Sequence, residues 1–97
     1  SKSYFMARFE ENSGFSSIVN FFKTSYKNPY FFKQDIQDKD IEFFIVVDDP
    51  QPVVVKILGT FIEETKFKIT KIFINNNEVR KQCSTSCYLV LLSLSSL

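Results

Sequence analysis

Apolar residues first settle into a clear period at Phe15. From there Phe15, Ile18, Val19, Phe22 and Tyr26 recur at the spacing of one stripe along an α-helix. Asn12 or Ser13 stands where a helix cap belongs. Asn28-Pro29 closes the segment, because the residue before a proline avoids the helical region. Ahead of this helix, Tyr4–Phe9 reads as either a short strand or an ordered arm. Behind it, Pro29–Lys33 reads as a short extended piece, and polar Gln34–Asp40 as a loop.

Three apolar runs follow with a period of two. In Ile41–Val47 the odd positions Ile41, Phe43, Ile45 and Val47 share one face, and in Val53–Ile62 the positions Val53, Val55, Ile57, Gly59 and Phe61 do the same. The prolines at 50 and 52 put a loop between the runs, since proline lacks the donor that a ladder needs. Matching apolar to apolar sets Val47 beside Val53, Ile45 beside Val55 and Phe43 beside Ile57. A turn at Glu63-Glu64-Thr65 leads to a third strand, Lys66–Ile74. Setting Ile62 beside Lys66 brings Phe61 to Phe67, Gly59 to Ile69 and Val55 to Phe73. Lys71 interrupts the apolar face of this strand, which predicts a bulge or a strand edge near it.

The opposite face of the three-stranded sheet carries Lys56, Thr60, Lys66, Lys68 and Thr70 at one end. At the other end the same register gathers Phe44, Val46, Val54, Ile72 and Ile74. Contiguous apolar area on a face normally left to water marks an interface. Burying about 300–400 Å² there is favourable by roughly 8–10 kcal/mol before entropy costs. The cover is expected to be Tyr4–Phe9 or a second polypeptide.

After Asn75-Asn76-Asn77, which suits a hairpin turn or a helix cap, Val79, Cys83, Cys87, Val90, Leu91 and Leu94 fall at helical spacing, with Glu78 favourably placed in a first turn. This predicts a second helix over about Glu78–Ser93. The expected fold is therefore α+β, in the order α-β-β-β-α. Two helices would lie on one face of a three-stranded antiparallel sheet, with room for an extra N-terminal strand. Residues 1–97 read as one domain, with 1–12 as an arm or strand and 13–94 as the core.

The αβββα order resembles the double-stranded-RNA-binding domain. With Val79 at the first small position of that family's second helix, Cys83 and Cys87 take the next two and Leu91 the apolar position after them. Arg80 matches a basic position, while Asn76 and Asn77 stand where the family places its phosphate-binding lysines. Ser17-Ile18-Val19-Asn20-Phe21-Phe22, followed by Tyr30-Phe31-Phe32, is similar to the first helix and the aromatic segment after it in the dimerisation domain of Dicer nucleases. The resemblance covers residues 13–94 in outline. It implies a protein-binding module in an RNA-related complex, with modest nucleic-acid affinity at most.

Composition narrows the chemistry. The chain has twelve Phe, two Gly and neither Trp nor His among 97 residues, and its formal net charge is +1. So many large apolar rings let a short chain build a compact core. A balanced charge creates no global field for nucleic acid or an anionic membrane. Without His, an imidazole base and a mixed thiolate/imidazole zinc site are excluded. No catalytic residue and no cofactor is expected. Cys83 and Cys87 read as packing residues, which together with the absent signal peptide suggests an intracellular protein, cytoplasmic or nuclear. Asp35, Asp38, Asp40 and Glu42 lack the glycine and ligand offsets of a calcium loop and read as solvated, so no metal is expected. The most apolar run, Tyr88–Leu97, is too short to cross a bilayer.

The expected partner is another protein or a second copy, a dimer, held by Phe44, Val46, Val54, Ile72 and Ile74. Double-stranded RNA is the alternative, with phosphate contacts from Lys23, Lys27, Lys66, Arg80 and Lys81. No small-molecule substrate is evident.

Overall fold

In the computed structural model, residues 2–12, 14–48, 51–64, 66–82 and 86–95 are described. Their order is β1 (Lys2–Glu10), α1 (Phe15–Ser25), β2 (Tyr30–Gln37), β3 (Asp40–Asp48), β4 (Pro52–Glu63), β5 (Lys66–Ile74), β6 (Asn77–Val79), β7 (Lys81–Gln82) and β8 (Cys87–Ser95). Two antiparallel sheets form, one of five strands in the order β2-β3-β4-β5-β6 and one of three in the order β1-β8-β7. The αβββα expectation is overturned: the chain is mostly strand, with one short helix among the described residues.

The helix forms where the apolar stripe predicts it. Ile18, Phe22 and Tyr26 are buried, and Phe15 and Val19 pack against the core. Its start differs from expectation. Gly14 is the capping residue, with φ 84° and no side-chain cap, a left-handed backbone that glycine tolerates best. Asn12 does not cap it, and Ser13 lies outside the described residues. The helix also ends earlier than Asn28, as Tyr26 is already extended.

Rings on α1 bind both sheets into one core. The Phe15 ring meets Phe43 at 4.2 Å and Phe67 at 5.1 Å on the five-stranded sheet, while Phe22 stacks on Phe9 of β1 at 6.0 Å between centroids. Fully burying one such ring is favourable by about 2–3 kcal/mol. Ala7 and Phe9 of β1 and Tyr88, Val90 and Leu92 of β8 complete the core from the other side. The N-terminal segment is thus a strand of the second sheet, not a free arm.

The β3–β4 hairpin has the register that apolar matching predicts, with Phe43 opposite Ile57, Ile45 opposite Val55 and Val47 opposite Val53. Pro52 begins β4 opposite Asp48, a strand-end position that tolerates proline. Of the supposed loop Gln34–Asp40, Gln34–Gln37 is the second half of an edge strand, β2, Asp38 and Lys39 form the turn, and Asp40 begins β3. The residues of β2 pair with β3 from Tyr30–Val46 to Gln37–Asp40, slipping once between Asp35 and Gln37. An edge strand needs only one partner and no buried face, so its polar sequence conceals it.

The second expected helix does not form. Asn75 and Asn76 have φ 47° and 69° and make a two-residue hairpin turn, with Ile74 paired to Asn77. Positive φ at both central positions is what such a turn requires, and asparagine supplies it cheaply. Further on, β8 pairs along its length with β1, from Lys2–Ser95 to Glu10–Cys87. Cys83 lies outside the described residues, while Cys87 is buried at the start of β8.

Near Gly59 the sheet admits no side chain. A Cβ there would stand 2.3 Å from the tip of the Phe67 ring and 2.6 Å from the Lys68 carbonyl oxygen. The ring of Phe67 takes the space the glycine leaves and closes the core over the β4–β5 ladder.

Candidate functional site

The decisive local feature is a bulge in β5. Gly59 pairs with Ile69 but Leu58 pairs with Lys71, so Thr70 is the extra residue. A single inserted residue exchanges the two faces of the strand beyond it. Ile72 and Ile74 therefore turn to the core, where Ile72 is fully buried and Ile74 partly so. Lys71 and Phe73 turn outward. The bulge predicted from Lys71 is present, but it moves Ile72 and Ile74 off the outer face and pairs Val55 with Ile74 instead of Phe73. A second slip at the hairpin end sets Lys66 opposite Glu63, where the sequence suggested Ile62.

The bulge is fastened from three directions. The Ile69 N–H donates to the Glu11 carbonyl at 2.9 Å, which ties the end of β1 to β5. The Tyr88 hydroxyl donates to the Thr70 carbonyl at 3.0 Å, and the Thr70 hydroxyl donates to the Leu58 carbonyl at 3.0 Å. Alongside, the Glu11 carboxylate receives Lys81 at 2.8 Å and Lys68 at 3.3 Å. The hydrogen bond from Lys81, helped by Lys68 against some desolvation, holds the Glu11 carboxyl below its ordinary pKa. Burial pushes the Tyr88 phenol above its ordinary value, so it stays a donor.

These fastenings leave a defined outer face on the five-stranded sheet. Its central row reads Phe32, Phe44, Lys56, Phe73, Glu78 across β2 to β6. Next to it lies a row of Tyr30, Val46 and Val54, and on the other side Gln34, Glu42, Leu58 and Lys71. Phe32 and Phe44 rings lie 5.8 Å apart, and the Lys56 ammonium sits over the Phe73 ring at 4.5 Å. Tyr30 is 64% exposed and Phe32 48%, and Val54 is also exposed. Ile36, Asp40, Leu58, Thr60 and Thr70 line a shallow hollow at one end. Phe44, Val46, Lys56, Leu58 and Phe73 are half-buried among these side chains, and Ala7 and Phe9 of β1 pack in the core on the opposite side of the sheet.

Of the five residues expected to hold a partner, Phe44, Val46 and Val54 stand on the outer face, while Ile72 and Ile74 do not. Tyr30, Phe32 and Phe73 belong to the face and were missed. The alternation Tyr30-x-Phe32 was a signal for the first two, and Lys71, read as a bulge marker, implied the third.

The residues expected to contact RNA come from separate elements. Lys23, in the last turn of α1, lies over the Phe31 ring at 5.9 Å, and Lys27 is exposed just beyond the helix. Lys66 pairs with Glu63 at 3.8 Å at the hairpin end. Arg80 is exposed between β6 and β7, and Lys81 is bound to Glu11. The helix that was to present Arg80 and Lys81 does not exist.

Among the described residues no group of three or more acidic or cysteine side chains is placed to hold a metal ion. None of their helices is long and apolar enough to cross a membrane. No family model, curated protein or solved structure matches the chain.

Proposed function

We propose that the protein is a non-catalytic binding module that takes another polypeptide against the outer face of its five-stranded sheet. The observation that carries this reading is the aromatic and aliphatic row system of Tyr30 and Phe32 on the edge strand β2 and Phe44, Val46, Val54 and Phe73 on β3 to β5, in which Tyr30, Phe32 and Val54 are exposed. Exposed apolar side chains gathered on one surface are characteristic of protein interfaces, and aromatic anchors dominate binding energy there.

Charge favours a polypeptide over RNA. On this face Lys56 and Lys71 are offset by Asp40, Glu42 and Glu78, and Lys68 is paired with Glu11, whereas phosphate binding needs a net basic track.

Panning a displayed random-peptide library against the folded chain tests the proposal. Peptides rich in apolar residues should be enriched and should lose about tenfold or more in affinity on Val46→Glu, which alters an outer-face position and leaves the core side untouched. The melting temperature of that variant should stay near wild type. Failure to enrich any peptide, or equal binding to wild type and Val46→Glu, would overturn the proposal. So would a 20-base-pair RNA duplex bound equally by both proteins with a steep loss of affinity as salt rises, which would make RNA the ligand.

A further inference from the structure

Given that docking face, the arrangement of charge on it identifies the occupant. Glu42 on β3 and Lys71 on β5 flank Leu58 on β4 in a single row. They are two strands apart, about 10 Å across the sheet. Neither has an ion pair among the described residues, and Glu42 is half-buried while Lys71 is exposed. One row over, Phe44 and Phe73 flank Lys56 in the same way. The strands that flank β4 thus differ in charge, acid on β3 and base on β5 with a ring on each, and Glu78 lies one strand further out on β6.

We infer that the occupant is a second copy of this chain, stacked face to face about a two-fold axis that runs parallel to β4. Rotation about that axis exchanges the β3 side with the β5 side and keeps each row at its own level. Glu42 of each copy then meets Lys71 of the other, twice per dimer, and each Phe44 meets a Phe73. Leu58 and Val54, on the axis strand, meet their own equivalents. The other in-plane axis, perpendicular to the strands, sets β3 against β3 and β5 against β5 wherever it crosses them, so Glu42 never meets Lys71, and when it crosses their own row it sets Glu42 against Glu42 and Lys71 against Lys71. Like charges so placed are repulsive, so the charges select the first axis.

Lys56 lies on the axis strand, yet its ammonium is drawn sideways over the Phe73 ring. Symmetry draws the two ammoniums in opposite directions, which keeps them apart. Facing sheets stack about 10 Å apart and about 30° from parallel. One strand from the axis, that angle displaces a side chain by about 2–3 Å, within the reach of a lysine. The patch measures roughly 20 by 25 Å, so the dimer removes on the order of 1,000–1,200 Å² in all, the low end for specific interfaces. A weak, concentration-dependent dimer follows.

Sedimentation equilibrium of the whole chain over a wide concentration range is the test. The wild type should pass from monomer to dimer, and Glu42→Lys and Lys71→Glu should each weaken the dimer about tenfold. Mixing the two variants should restore association to near the wild-type level, because the extra cations of one meet the extra anions of the other. The double variant should also recover. Circular dichroism melts show that each variant is folded, since both positions lie off the core. A strict monomer at every concentration, or a dimer indifferent to these changes, or weakening without rescue on mixing, would overturn the inference. A strict monomer that still binds library peptides through Val46 would end the self-association and leave the docking module standing. Loss of both would end the underlying reading as well.

Discussion

The two faces of the five-stranded sheet use the same strands and almost the same residue types, yet they do different work. On the inner face Ile45, Val55, Ile57, Ile69 and Ile72 are at most 1% exposed, closed over by α1 and the second sheet. On the outer face Phe32 and Val54 are 48% and 39% exposed. Hydrophobicity alone does not separate these sets, because Val46 and Val54 are as apolar as Val47 and Val55. What separates them is parity along each strand and one inserted residue, Thr70. The inner face stabilises the fold, and the outer face is available to a partner.

Ile72→Lys attacks that distinction most severely, because Ile72 faces the core opposite Ile57 while its neighbour Phe73 faces outward. Burying a lysine in place of an isoleucine is ruinous, so this variant should lose cooperative unfolding while Phe73→Lys keeps it; a cooperative melt near that of wild type for Ile72→Lys would show that the bulge does not govern the faces. Next in size, Ile57→Ala should cost about 2–5 kcal/mol by cavity formation, while outer-face Val54→Ala should stay within about 0.5 kcal/mol. Urea midpoints of the two variants decide this, and equal losses would dissolve the contrast between faces.

Smaller again, Tyr88→Phe removes the hydroxyl that donates to the Thr70 carbonyl. A loss of about 1 kcal/mol in urea denaturation is expected, and no loss would mean that this bond does not secure the bulge. The smallest effect concerns Glu11. Its pKa is lower in the folded chain, so its ion pairs contribute stability above the ordinary carboxylate value of 4.5, and that contribution fades as pH falls through the lowered value. The difference in urea midpoint between wild type and Glu11→Gln should therefore be larger at pH 7 than at pH 3. A pH-independent difference would contradict the role of the charge.

The β3–β4 hairpin was legible in the sequence down to its register, because strict alternation and a short connection leave only one match of apolar to apolar. The helix stripe was legible for the same local reason. The C-terminal segment was not. Tyr88–Leu92 is apolar at every position, so period two and period 3.6 fit equally, and the deciding fact is a partner at the far end of the chain: β1, paired from Glu10–Cys87 to Lys2–Ser95. A bulge could be located from Lys71, but its consequence, the exchange of Ile72 for Phe73 on the outer face, needed the count of paired residues. The docking face was consequently half foreseen. Phe44, Val46 and Val54 come from the legible hairpin, and the missed rings come from an edge strand and from beyond the bulge.

Hydroxyl-radical footprinting of the folded chain, at dilution low enough to keep it monomeric, tests the division of faces at adjacent residues. Phe73, Phe44 and Tyr30 should be oxidised readily while Ile72 and Phe67 stay protected. Oxidation of Ile72 with protection of Phe73 would contradict the account, as would protection of the outer rings together with the core.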